Sequence, residues 1–140
     1  MSMQMAPDAP WVVSEGKSNI QMIMGGRYMS ELTNFEMMGQ QVEGRLLQGF
    51  DNVSKKYQTV WIDTTGTRMM IAEGTELKPG VVEFHGTMKD FMTPEGRPYM
   101  YHVTTKSNDE VLMEMYDSNP EAPDAPMAMI FKMEYTRAAK

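Results

Sequence analysis

The sequence predicts an all-β fold: an antiparallel, up-and-down β-barrel of about nine to ten short strands. Three observations carry that expectation. First, residues 43–63 form a hairpin pattern. The apolar run Leu46, Leu47, Phe50 stops at Asp51-Asn52-Val53-Ser54, whose polar side chains favour a turn. The chain then resumes as Tyr57-Gln58-Thr59-Val60-Trp61-Ile62-Asp63, rich in the aromatic and β-branched residues that suit a pleated surface. Second, turn signals recur along the chain at spacings of about 8–12 residues. Third, an apolar i, i+3, i+4 pattern is nowhere sustained over the ~11 residues a helix needs. Successive hairpins favour a meander, and closing it into a barrel removes the exposed edges.

Taken in order, residues 2–5 read as the tail of a strand and residues 6–10 as a loop. Residues 11–24 are extended, with Gly16 as a bulge, and Gly25-Gly26 gives a tight turn because glycine accepts positive φ. The returning strand, residues 27–37, puts Arg27, Met29, Glu31, Thr33 and Phe35 on one face and Tyr28, Ser30 and Leu32 on the other. Gly39 ends it, and residues 40–50 lead into the central hairpin. Residues 64–67 turn, 68–72 form a short strand, and 74–80 form a loop closed by Pro79-Gly80. Residues 81–88 alternate again, residues 93–96 (Thr-Pro-Glu-Gly) turn, and residues 99–105 return. After Ser107-Asn108-Asp109 comes a strand at 110–116. The proline-rich stretch 119–126 is irregular, since proline cannot donate to a ladder. The last strand, residues 127–135, aligns Met127, Met129, Phe131, Met133 and Tyr135 on one face.

With 140 residues, 41% hydrophobic and 23% charged, the chain is expected to form one domain over residues 1–140. No apolar run approaches the ~20 residues of a membrane helix. A net charge of -6 with scattered basic residues excludes nucleic acid as an expected partner. The absence of cysteine removes disulfides, thiolate nucleophiles and zinc–thiolate sites. The start shows no signal-peptide pattern, so the chain as given reads as cytoplasmic. A truncated periplasmic or secreted protein would read the same.

Gly25-Gly26-Arg27-Tyr28, Gly49-Phe50-Asp51, Trp61-Ile62-Asp63 and the closing Tyr135-Thr136-Arg137 stand in an order and spacing that resembles a bacterial family, domain of unknown function fifteen seventy-nine. The resemblance covers nearly the whole chain. It implies a calycin-like (lipocalin-like) barrel and no settled activity. Members of that family carry a Gly-x-Trp strand before the Ala-Pro loop, and here residues 2–5 supply only its end. The barrel is therefore expected to be truncated at its start or completed by a partner chain. A related barrel family holds haem through a histidine on its last strands. Residues 127–135 contain no histidine, which speaks against carrying that function over.

Several groups of residues are candidates for chemistry. A barrel interior has room for one small apolar ligand, and methionine re-packs around irregular shapes. Eighteen methionines stand in this chain. The candidate lining is Met22, Met24, Met29, Trp61, Tyr101, Met113, Met129 and Phe131, with Arg27 and Asp63 as polar members taken from the family motif. The competing explanation is that these residues fill an ordinary core. The pairs Met22-x-Met24, Met113-x-Met115 and Met127-x-Met129 fit Cu(I) ligation, but burial with period 2 yields the same spacing. His85 and His102 flank the turn at Pro94–Gly96, and pairing Asp90 with Arg97 sets them opposite each other as metal candidates, with Glu83 or Asp63 as a third ligand.

For an enzyme, the available groups are Arg27, Glu31, Asp63, Arg68 and Arg137, with an Arg27–Glu31 or Arg27–Asp63 pair inside the barrel. They compose no recognisable nucleophile–base set, phosphate loop or carboxylate dyad. The sequence thus points to a small-molecule binder without a resident cofactor. A filled barrel acting as a homodimer is the alternative, and a metal or haem binder using methionine or histidine is the third.

Overall fold

The computed structural model describes residues 1–4 and 8–139. The loop expected at 6–10 and the strand tail at 2–5 fall partly on residues 5–7, outside the described residues. Among the described residues eleven strands follow one another: β1 (Ser2–Met3), β2 (Val12–Val13), β3 (Gly16–Ile23), β4 (Tyr28–Met37), β5 (Gln40–Asp51), β6 (Lys56–Asp63), β7 (Met70–Lys78), β8 (Val81–Met88), β9 (Arg97–Thr105), β10 (Glu110–Asp117) and β11 (Ala128–Thr136). The strands lie in the order β2-β1-β11-β10-β9-β8-β7-β6-β5-β4-β3, with antiparallel ladders between neighbours. This is the all-β, up-and-down antiparallel order expected from the sequence, with a strand or two more than counted.

Two compact units make up the chain: Met1–Val13 with Thr75–Lys140, and Ser14–Gly74. The second unit is a meander of β3, β4, β5, β6 and the start of β7. Its turns follow from local chemistry. Met24, Gly25 and Gly26 all take positive φ, and Gly26 N donates to Ile23 O at 3.1 Å. In the central hairpin, Asp51 accepts from the backbone of Val53 (2.9 Å) and Ser54 (3.2 Å), which lets Lys55 sit at φ 59°. Glu31, Thr33, Phe35, Val42, Thr59 and Ala72 are buried, and by pairing and alternation they share one face.

The other unit holds β8 to β11 with β1, β2 and the end of β7. Its core is aromatic: Phe84 and Tyr101 stack at 4.6 Å between centroids, and Tyr99 stacks on Tyr101 at 6.3 Å. The bidentate grip of Arg97 on Asp117 (2.9 and 2.8 Å) ties β9 to β10. Arg97 also donates to Asp90 and Thr93, which fixes the loop before β9.

Several sequence expectations are corrected. The extended stretch at 11–24 is two strands; Gly16 opens β3 opposite Phe35. Residues 75–78, expected in a loop, continue β7. Met88, not Asp90, pairs with Arg97, because Asp90 is taken up in capping Met92 and Thr93. His85 therefore lies opposite Met100, and His102 opposite Glu83. A register break in the β10–β11 ladder sets Met129 opposite Tyr116 while Phe131 faces Met115, so Met129 and Phe131 do not continue one alternating row. Met24 and Met127 lie outside strands, so Met22-x-Met24 and Met127-x-Met129 are not strand-face pairs. Arg27 forms no ion pair with Glu31 or Asp63 among the described residues; its Nη1 donates to Met24 O at 3.4 Å.

Candidate functional site

On the buried face of the second unit, cross-strand pairing lines the side chains up in rows. One row runs Ile20, Glu31, Leu46, Trp61, Met70; the next runs Met22, Met29, Gln48, Thr59, Ala72. Glu31 is only 3% exposed. Ser18 Oγ lies 2.8 Å from Glu31 Oε1 and 2.7 Å from Thr33 Oγ1. A hydroxyl has one proton, and Thr33 Oγ1 donates its own to Lys17 O at 3.3 Å, so the Ser18 hydroxyl is the donor shared between Glu31 and Thr33. Among the described residues no other protein group donates to Glu31, and no Lys, Arg or His pairs with it. The nearby bases Lys17 and Arg45 pair with Asn34 and Leu32, positions on the opposite face by alternation. A buried carboxylate held by a single hydroxyl is an unusual tenant of an apolar face.

Trp61 stands in the same row. Its Nε1 donates to Asp63 Oδ2 at 2.7 Å. A Cβ at Gly44 would collide with the Trp61 ring, so the indole lies flush on the backbone of β5. Asp63 also accepts from Thr65 N (2.8 Å). Burial works to raise the Asp63 carboxyl, but the hydrogen bonds from Thr65 and Trp61 outweigh it and hold the group below its usual value. The motif residues thus have visible local work. Tyr28 lies against Gly49 as Trp61 does against Gly44. Asp51 caps its turn, and Arg137 grips Asp109 (2.6 Å) and Asn108 O (2.8 Å). The family model described as Protein of unknown function (DUF1579) matches residues 1–137, nearly the whole chain.

The chain belongs to that family. A comparison with curated proteins found no match.

Of the residues singled out in this DUF1579 chain, Met22, Met24, Arg27, Met29, Trp61 and Asp63 lie in the second unit. Met29 and Trp61 sit half-buried in the two rows around Glu31. Met22 stands at the end of the Met29 row on the outermost strand and is 61% exposed; Met24 is 69% exposed in the turn. Arg27 is exposed. Tyr101, Met113, Met129 and Phe131 lie in the other unit. There Tyr101 pairs with Phe84 and Met115, and Met113 with Val103 and the buried Met133.

His85 and His102 do not face each other, yet both reach one carboxylate. Each donates Nε2–H to a different oxygen of Glu83, at 2.7 Å. Those hydrogen bonds, from His102 first and His85 second, hold Glu83 below the usual carboxylate range. Among the described residues no group of three or more His, Cys, Asp or Glu has the arrangement to hold a metal ion.

Ser18 and Thr33 were not singled out as site residues from the sequence, and Glu31 only as an available charge. The usable signal was parity: Glu31 and Thr33 alternate with Phe35, a face that must be buried. Ser18 carried no such signal, because nothing local tells which residue of β4 it will oppose.

Proposed function

We propose that this protein binds a small amphipathic molecule on the buried face of β3 to β7. The observation that carries the proposal is the mixture on that face. Glu31, Gln48 and Thr59 stand among Met29, Leu46 and Trp61, and Met29, Leu46 and Trp61 remain only half-buried. A face packed solid would bury its large apolar side chains fully and leave polar groups out. Binding sites combine apolar walls with a few fixed polar groups in this way. Met29 supplies an adaptable thioether and Trp61 a rigid wall anchored by Asp63.

Native mass spectrometry of gently purified protein, with a denaturing run on the same sample, tests it. The expected result is extra mass that denaturation removes, or uptake of a neutral naphthyl fluorophore that Trp61→Ala weakens at least tenfold. A bare mass with no uptake of the fluorophore overturns the proposal.

A second reading, association with another copy of the chain, is favoured by one feature of the opposite face. Leu47, Val60 and Ile71 form a cross-strand row there, with Ile62 and Tyr28 on neighbouring rows. Leu47, Ile62 and Tyr28 are each more than 40% exposed, and Ile71 is 58% exposed. The outward face of an antiparallel sheet is ordinarily polar.

A further inference from the structure

We infer that the ligand of this face carries a cationic nitrogen, an amine or ammonium head group, and that Glu31 receives it. The inference rests on the binding reading above and adds the chemical class. Glu31 is 3% exposed, and its one hydrogen-bond donor among the described residues is the Ser18 hydroxyl. Ser18 engages Oε1 alone, which leaves Oε2 as the acceptor for an incoming group. A carboxylate removed from water is stabilised fully only by an opposite charge with hydrogen bonds; a neutral donor supplies the bond without balancing the charge. Among the described residues no Lys, Arg or His supplies such a charge to Glu31. Lys17 and Arg45 occupy the other face by alternation, and neither forms an ion pair with Glu31.

The neighbours fit a cation as well. Trp61 lies in the same row as Glu31, one strand beyond Leu46, and its ring is held flat over Gly44, the partner of Thr33. An indole face attracts ammonium groups through the ring quadrupole, and Trp61 presents its ring two strands from Glu31 in that row. Leu46 between them and Met29 in the adjacent row give the carbon tail an apolar bed. The Ser18–Thr33 relay fixes the carboxylate in place before the ligand arrives.

The test compares three ligands with one tail: octylamine, 1-octanol and octanoate, titrated calorimetrically at neutral pH and 150 mM salt to screen the acidic surface. Octylamine is expected to bind at least tenfold more tightly than 1-octanol, with octanoate weakest, since a hydrogen-bonded charge pair is worth about ten- to a hundredfold. Glu31→Gln is expected to abolish the preference for the amine, so that the variant binds octylamine no more tightly than 1-octanol. The comparison among ligands needs no variant, so it stands even where Glu31→Gln fails to fold. Equal binding of octylamine and 1-octanol to the wild type, or an amine preference retained by a folded Glu31→Gln, overturns the inference and keeps the apolar site. Failure of all three ligands to bind overturns both.

Discussion

At the scale of single residues, two glycines are defined by the rings that cover them. Gly44 has no room for a side chain because the Trp61 indole occupies the space a Cβ would need, and Gly49 stands in the same relation to Tyr28. Gly44→Ala is therefore expected to destabilise the fold by about 1–3 kcal/mol, the usual cost of overpacking. In the Trp61→Ala background the same substitution is expected to cost far less. Urea unfolding of the four members of that cycle measures the coupling, and additive effects would contradict the packing described. None of this is visible in the sequence taken one residue at a time. Trp61 and Asp63 are legible as a motif, but the partner of the indole lies across a strand pair, and cross-strand register is set by turns and bulges as well as by alternation.

At the scale of elements, the strands themselves were largely legible. Period-2 alternation marks them, and the glycine-rich and proline-containing turns divide them. What failed was register at two places, each for a local reason. Before β9, Asp90 accepts hydrogen bonds from Met92 N and Thr93 N and ion-pairs with Arg97, so it closes a loop instead of extending β8, and the pairing shifts by two residues. In β11 the break opposite Met115 and Tyr116 carries Met129 out of the row of Phe131. Parity also cannot separate an outermost strand from a central one, which is why Met22 and Ile20 are exposed despite an apolar face pattern.

The Asp90 loop yields a pH prediction. Hydrogen bonds from Arg97, and from the backbone of Thr93, hold Asp90 well below the ordinary carboxylate range. A carboxyl lowered in the folded state contributes stability that is present above its ordinary value of 3.8 and is lost as pH falls from there through the folded value. Wild type is thus expected to lose thermal stability on acidification below about pH 4. Asp90→Asn should melt lower than wild type at pH 7, and the gap should narrow with acid. Melting curves from pH 7 to pH 2 check both points; a constant gap would assign the lost stability to something other than this ionisation.

At the scale of the whole molecule, the net charge of -6 sets copies of the chain against one another except where charge is locally balanced. The exposed row of Leu47, Val60 and Ile71 is bordered by both signs: Arg45 two residues before Leu47 on β5, and the Lys56–Glu73 pair (3.2 Å) across β6 and β7. A two-fold contact places such a surface against itself, where mixed charge is tolerated and the apolar row is covered. If the face self-associates, light scattering behind size exclusion should give twice the mass of 16.0 kDa, and Leu47→Lys should return it to the monomer mass without lowering the melting temperature appreciably. Monomer mass across a hundredfold concentration range would remove that reading. The sequence suggested a homodimer through an unpaired strand edge or a face; the apolar row on the opposite face is legible only once three strands are paired in register.

The fit of indole to glycine also constrains how a lineage carrying this fold can change. A side chain gained at position 44 while Trp61 is present starts from a collision, whereas a smaller residue at 61 leaves 44 free to grow. Substitutions at the two positions are thus passable in one order and blocked in the other. Descent through this pair runs like a ratchet, with the ring yielding first.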